Sequence, residues 1–221
     1  MKRFQNKWVF GSLILSLVAC LYLLLFLADY GISKYYRNDF QSKQTSWISG
    51  ENVVYVFPVF KPFFADMYWL SAIQDAYRRP VSDTLFKVIA LEPHYFPYYI
   101  YGAYMQLPLS EKAPGNPQAA IDLLRRGAKV FPNEAYLYYL QGSIYLWFLK
   151  EPNKALALFR QAASFVNAPI VYQQLEAYAA TRSGQYHIAY KLWESVYKNA
   201  RTPEEKQHAK EQMKKILKLN Q

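Results

Sequence analysis

The chain repeats itself. Segments that begin at a small residue inside an aromatic run and continue into an Ala-rich amphipathic stretch recur at an interval of about 35 residues: "YIYGAYM" then "AAIDLLRRGAKVFPN", "YLQGSIY" then "ALALFRQAASFVN", and "LEAYAATRSGQYHIAYKLWESV". Each unit reads as two helices joined by a turn. A helix pair cannot bury its apolar face alone, so a period of this length implies pairs stacked one on the next. The fold class follows: all-α. The recurrence also explains "AYLYYLQGSIYLWFL", which carries no charge between Glu134 and Lys150. As a helix it reaches only about 22 Å, short of the ~30 Å core of a bilayer. It reads as an inner helix packed on both sides.

These units resemble the tetratricopeptide repeat, whose pattern is W-x2-L-G-x2-Y, then A-x3-F, then P. Ala120, Leu124, Gly127 and Pro132 follow Tyr98 and Gly102 at that spacing. Tyr138, Gly142 and Tyr145 precede Ala155, Phe159 and Ala162 in the next unit, and Ala177, Gly184, Ala189, Trp193 and Val196 form another. Tyr68, Ala72, Val81, Leu85, Val88 and Pro93 give a first, weaker unit. The resemblance implies about four helix pairs over residues 65–200. Gly102, Gly142 and Ala177 would let paired helices approach closely, with Tyr138, Tyr145, Phe159 and Trp193 filling the space between units. "MQLPLSEKAPGNPQ" adds about six residues to one turn.

Both ends depart from the repeats. Residues 8–28, "WVFGSLILSLVACLYLLLFLA", are uncharged and reach about 31 Å as a helix, enough to span a bilayer. Residues 1–28 are therefore expected to be a single-pass membrane anchor. A second device lies in the same stretch: "LVAC", ending at Cys20, is similar to the bacterial lipobox, although "LYLLLFLADYG" follows where small polar residues are usual. Lys2, Arg3 and Lys7 crowd the short tail before the span, which favours the N-terminus inside and the repeats on the extracytoplasmic side of the inner (cytoplasmic) membrane. Residues 29–64 include "VVYVFPVFKPFF", whose Pro58 and Pro62 predict an extended linker. At the far end, residues 201–221 read as a basic capping helix. Thr202 and Glu205 form a capping box around Pro203, and Ala209, Met213, Ile216 and Leu217 form an apolar stripe.

Charge placement narrows the partners. The formal net charge is +10, yet residues 51–197 hold thirteen Lys and Arg against eleven Asp and Glu, so the basic excess sits at the two ends. A nucleic-acid protein concentrates its cations on a binding face, so no nucleic-acid partner is expected. Cys20 is the sole cysteine, which rules out an intrachain disulfide. No catalytic motif joins His94, His187 and His208, and Glu204 with Glu205 opens a helix where carboxylates favour the dipole. Neither enzyme activity, nor a cofactor, nor a metal is expected.

What remains is a surface. In the tetratricopeptide family the first helix of each pair lines a concave groove, and the resemblance points Asp66, Trp69, Ile73 and Tyr77, then Phe96, Tyr99 and Gln106, then Tyr136, Tyr139 and Trp147, then Gln174, Tyr178 and Arg182 into it. Tyr and Trp give large contact area at low entropic cost, which suits a groove for a protein partner. The same rings could instead pack between units. The expected function is a membrane-anchored adaptor in bacterial envelope assembly or secretion, or else an accessory subunit of an integral membrane enzyme or transporter.

Overall fold

The computed structural model describes residues 61–76, 80–108 and 115–219, and their regular structure is entirely α-helical. The nine helices among them are α1 (Lys61–Asp75), α2 (Ser82–Leu91), α3 (Phe96–Met105), α4 (Pro117–Val130), α5 (Ala135–Trp147), α6 (Pro152–Ala163), α7 (Ile170–Arg182), α8 (Tyr186–Asn199) and α9 (Pro203–Leu219). The expected anchor at 1–28, Cys20 and most of the 29–64 linker lie outside the described residues. None of the described helices is long and apolar enough to cross a membrane.

The described residues fall into two compact units, one holding residues 61–72 with Asp83–Glu92 and the other holding the rest. In the first, α1 corrects the expected linker boundary, because the helix begins at Lys61 rather than after residue 64. Pro62 permits this: in the first turn of a helix its missing N–H has no intrahelical partner to lose. The Lys87 ammonium of α2 sits 5.0 Å from the centre of the Tyr68 ring of α1.

The second unit is a run of paired helices. Each helix packs on the next from α3 to α9, and connections of only a few residues fold α6 back on α5 and α8 back on α7. Proline or an Asx cap sets several starts. Pro117, Pro152 and Pro203 open α4, α6 and α9, and Asn116 Oδ1 accepts the Ala119 N–H at 3.0 Å. The interior alternates small and large residues: Ala120, Gly127, Gly142, Ala155, Ala162, Ala177 and Ala189 admit the buried Tyr99, Phe159 and Trp193. That alternation is the physical content of the repeat pattern.

The capping box on α9 is formed. Glu205 N–H donates to Thr202 Oγ1 at 3.2 Å, while Glu205 Oε2 accepts from the N–H groups of Thr202 (3.3 Å) and Arg201 (2.8 Å). Ala209 and Ile216 face inward and Met213 is half-buried. Leu217 departs from the expected stripe and is 53% exposed, because successive helical residues are rotated by about 100° and Ile216 already occupies the inner face.

Candidate functional site

The first helices of the three pairs in the second unit, α3, α5 and α7, are joined by aromatic side chains. The hydroxyls of Tyr104 and Tyr136 share a hydrogen bond of 3.0 Å. Tyr136 stacks on Tyr139 with centroids 5.4 Å apart, and Tyr139 stacks on Tyr172 at 4.9 Å. A second contact pairs Trp147 with Tyr178 at 5.4 Å. The result is a row of rings crossing three helical layers. Tyrosine suits such a row because its ring packs while its hydroxyl finds a partner or water.

Beside the row opens a cleft of about 190 Å³, lined by Ala103, Tyr104, Leu107, Tyr139, Leu140, Ser143, Ile144, Trp147 and Phe148. Its lining carries no ionisable group other than the two tyrosines. Burial, followed by the hydrogen bond to Tyr136, holds the Tyr104 hydroxyl well above the ordinary phenol range. Burial, with Tyr139 and Tyr136 nearby, raises Tyr172 as well. Both hydroxyls therefore stay neutral at ordinary pH, and the surface offers apolar area with uncharged hydrogen-bonding groups.

The residues assigned to the groove from sequence separate into three sets. Tyr136 and Tyr139 of α5 stack on one another and Trp147 of α5 meets Tyr178 of α7, while Gln174 is half-buried and Arg182 exposed on α7. Tyr99 and Gln106 are the corrections. Tyr99 is 1% exposed, donates its hydroxyl to the Pro93 carbonyl at 2.9 Å and lies on Gly127, and burial pushes its pKa up to about 12. Gln106 is buried and its Oε1 accepts from Ser82 Oγ at 2.8 Å. Phe96 packs edge-to-face on Phe131 at 5.4 Å. Asp66 and Ile73 are exposed and Trp69 half-buried on α1, and Tyr77 lies outside the described residues.

Sequence reasoning missed Tyr104, Tyr172 and Phe148. The signal was present: Tyr104 lies five residues beyond Tyr99, on a different face of α3, and that face is the outer one once Tyr99 turns inward. No group of three or more His, Cys, Asp and Glu capable of holding a metal occurs among the described residues. His94, His187 and His208 are all exposed, His208 resting edge-to-face on Trp193 at 5.4 Å.

No protein-family profile matches the chain, and no curated protein sequence matches it. Solved structures of MamA are similar in backbone. The crystal structure of MamA aligns with a TM-score of 0.47 and 19% identity over 75% of this chain and 86% of that one. MamA 41-end from Desulfovibrio magneticus RS-1 aligns at 0.46 and 19%, over 62% of this chain and 74% of that one.

Proposed function

We propose that this chain is a non-enzymatic adaptor that binds a protein partner through the tyrosine row and the uncharged cleft beside it. One observation carries the reading: Tyr104 is 40% exposed and Trp147 is 43% exposed at the rim of the cleft, although each ring is already oriented by another aromatic side chain. Rings held in place but left open lose little freedom on binding, which is the property of interface hot spots. The occupant is an apolar segment of the partner. The adaptor is tethered to the inner (cytoplasmic) membrane through residues 8–28 and presents its helices on the extracytoplasmic side, in envelope assembly or secretion. Supporting the tether and its direction are the uncharged run of 21 residues and the basic tail before it.

Co-purification of the full chain from detergent tests the reading. A stoichiometric partner lost from the Tyr104→Ala and Trp147→Ala variants supports it, and retention in both overturns it. A partner released when the span is replaced by an unrelated apolar helix would assign an accessory subunit instead. Topology is read separately: Lys210→Cys in a Cys20→Ser background should label with an impermeant maleimide once the outer membrane is permeabilised. Labelling only after rupture of the inner membrane reverses the orientation.

A further inference from the structure

The outer face of α9 carries a charge pattern that the adaptor reading does not use. Lys206, Lys210, Lys214 and Lys218 are spaced by four residues and all four are exposed. At about 100° per residue they occupy an arc of about 120°, directed away from the buried Ala209 and Ile216, and extend about 18 Å along the helix. None of the four forms an ion pair among the described residues. The carboxylates of this helix lie off the arc: Glu205 closes the capping box, Glu211 accepts from Gln207, and Glu204 sits in the first turn. Like charges at i,i+4 repel one another. A helix that only shields the last pair from water gains nothing from such a row, and alternating signs would serve it better.

We propose that this row is a docking surface for an anionic lipid bilayer. Charge complementarity selects an anionic partner, and Leu217 selects among anionic partners. Leu217 falls inside the lysine arc and is 53% exposed. An acidic helix or a nucleic acid offers a leucine there no apolar environment. A bilayer interface takes both components, the leucine into the acyl boundary and the ammonium groups among the headgroups, with the lysine stems lying along apolar surface. The near-neutral charge of residues 51–197 leaves this helix as the basic face of the repeat region. Docking here would fix the repeats against the membrane. This inference does not rest on the aromatic cleft.

The test uses the full chain with Cys20→Ser and Gln207→Cys, carrying an environment-sensitive dye at 207, which lies within the arc. The chain is placed in phosphatidylcholine vesicles with or without about 30% phosphatidylglycerol. The expected result is a blue shift and protection from aqueous quencher only in the anionic vesicles, reversed by about 0.5 M salt through screening. With each lysine near an anionic surface worth about a fivefold gain, changing all four to Gln should lower the docking equilibrium by roughly several hundredfold. Leu217→Ser should also lower it at low salt, where docking takes place. The four sites are exposed, so the variant is checked for unchanged helix content. An equal shift in neutral vesicles, or one that survives the four-Gln change, overturns the proposal. So does an absent lipid response accompanied by loss of an acidic co-purifying protein, which would assign the row to that protein.

Discussion

The ring of Tyr99 on α3 lies directly on Gly127 of α4: a Cβ at Gly127 would fall 2.9 Å from both Cδ1 and Cγ of the tyrosine. The next pair has the converse arrangement, glycine on its first helix and ring on its second, with a Cβ at Gly142 falling 2.8 Å from Cε1 of the buried Phe159. Two effects of Gly→Ala oppose each other. Alanine favours helix by about 1 kcal/mol, whereas overpacking a filled interior costs about 1–3 kcal/mol. Both rings are buried and cannot swing aside, so the steric term wins. With contacts under 3.0 Å setting the steric cost at the upper end of its range, about 2–3 kcal/mol, Gly127→Ala and Gly142→Ala should each lose about 1–2 kcal/mol net in chemical denaturation. A midpoint equal to that of the parent would show that the helices do not approach as closely as described.

The burial of Tyr99 also has a pH signature. Its pKa, raised from 10.0 to about 12, means that the folded state holds the phenol proton more tightly than the unfolded state. The stabilisation is fully present below pH 10 and is lost as pH rises from about 10 through about 12. Tyr99→Phe removes this ionisation together with the hydrogen bond to Pro93. The variant should be less stable at neutral pH by about 1 kcal/mol, yet show a shallower fall in stability between pH 10 and 12. Parallel slopes for the two proteins would contradict the burial.

The architecture was legible because the repeat pattern is itself a packing rule. Small residues at 102, 142 and 177, and large ones at 159 and 193, can be buried together only by stacking helix pairs. The site was half legible, for a related reason. Period places Tyr99 and Tyr139 at matching positions, but their surroundings differ: Gly127 leaves room beneath Tyr99, and the ring sinks. Where the register of Gly127 recurs in the next unit the residue is Ala162, and Tyr139 remains half-buried in the row. A groove assigned from one helix cannot register the side-chain volume opposite it. The helix start at Lys61 was missed because Pro62 was weighed as a breaker, when in a first turn it is an initiator.

Glu176 of α7 is 7% exposed, and its Oε1 accepts from Arg160 Nε of α6 at 2.9 Å. A carboxylate withdrawn from water depends on its partner more than an exposed one does. The guanidinium is itself largely open to solvent, which limits the loss. Arg160→Ala should cost about 1–2 kcal/mol, since it leaves Glu176 unpaired. Adding Glu176→Gln to that variant should recover part of the loss, because the remaining buried group is neutral. If the double variant is no more stable than Arg160→Ala, the pair is not coupled.

The tyrosine row and the interior aromatics make opposite demands on stability and binding, and this separates a groove from a core. Tyr104 and Trp147 are partly open, so their change to Ala should cost about 1–2 kcal/mol of stability, below the ~3–5 kcal/mol of a buried aromatic truncation. Trp193→Ala and Tyr145→Ala, at buried positions away from the cleft lining, should show the full loss. Binding should rank the other way. At temperatures where every variant is folded, loss of Tyr104 or Trp147 should weaken the partner by about 2 kcal/mol or more, as at a hot spot, and loss of Trp193 should leave affinity nearly unchanged. Thermal melts beside titrations of the co-purified partner decide the matter. Stability losses at Tyr104 and Trp147 that match those at Trp193, with affinity intact, would mean that the exposed rings only brace the layers and that the partner binds elsewhere.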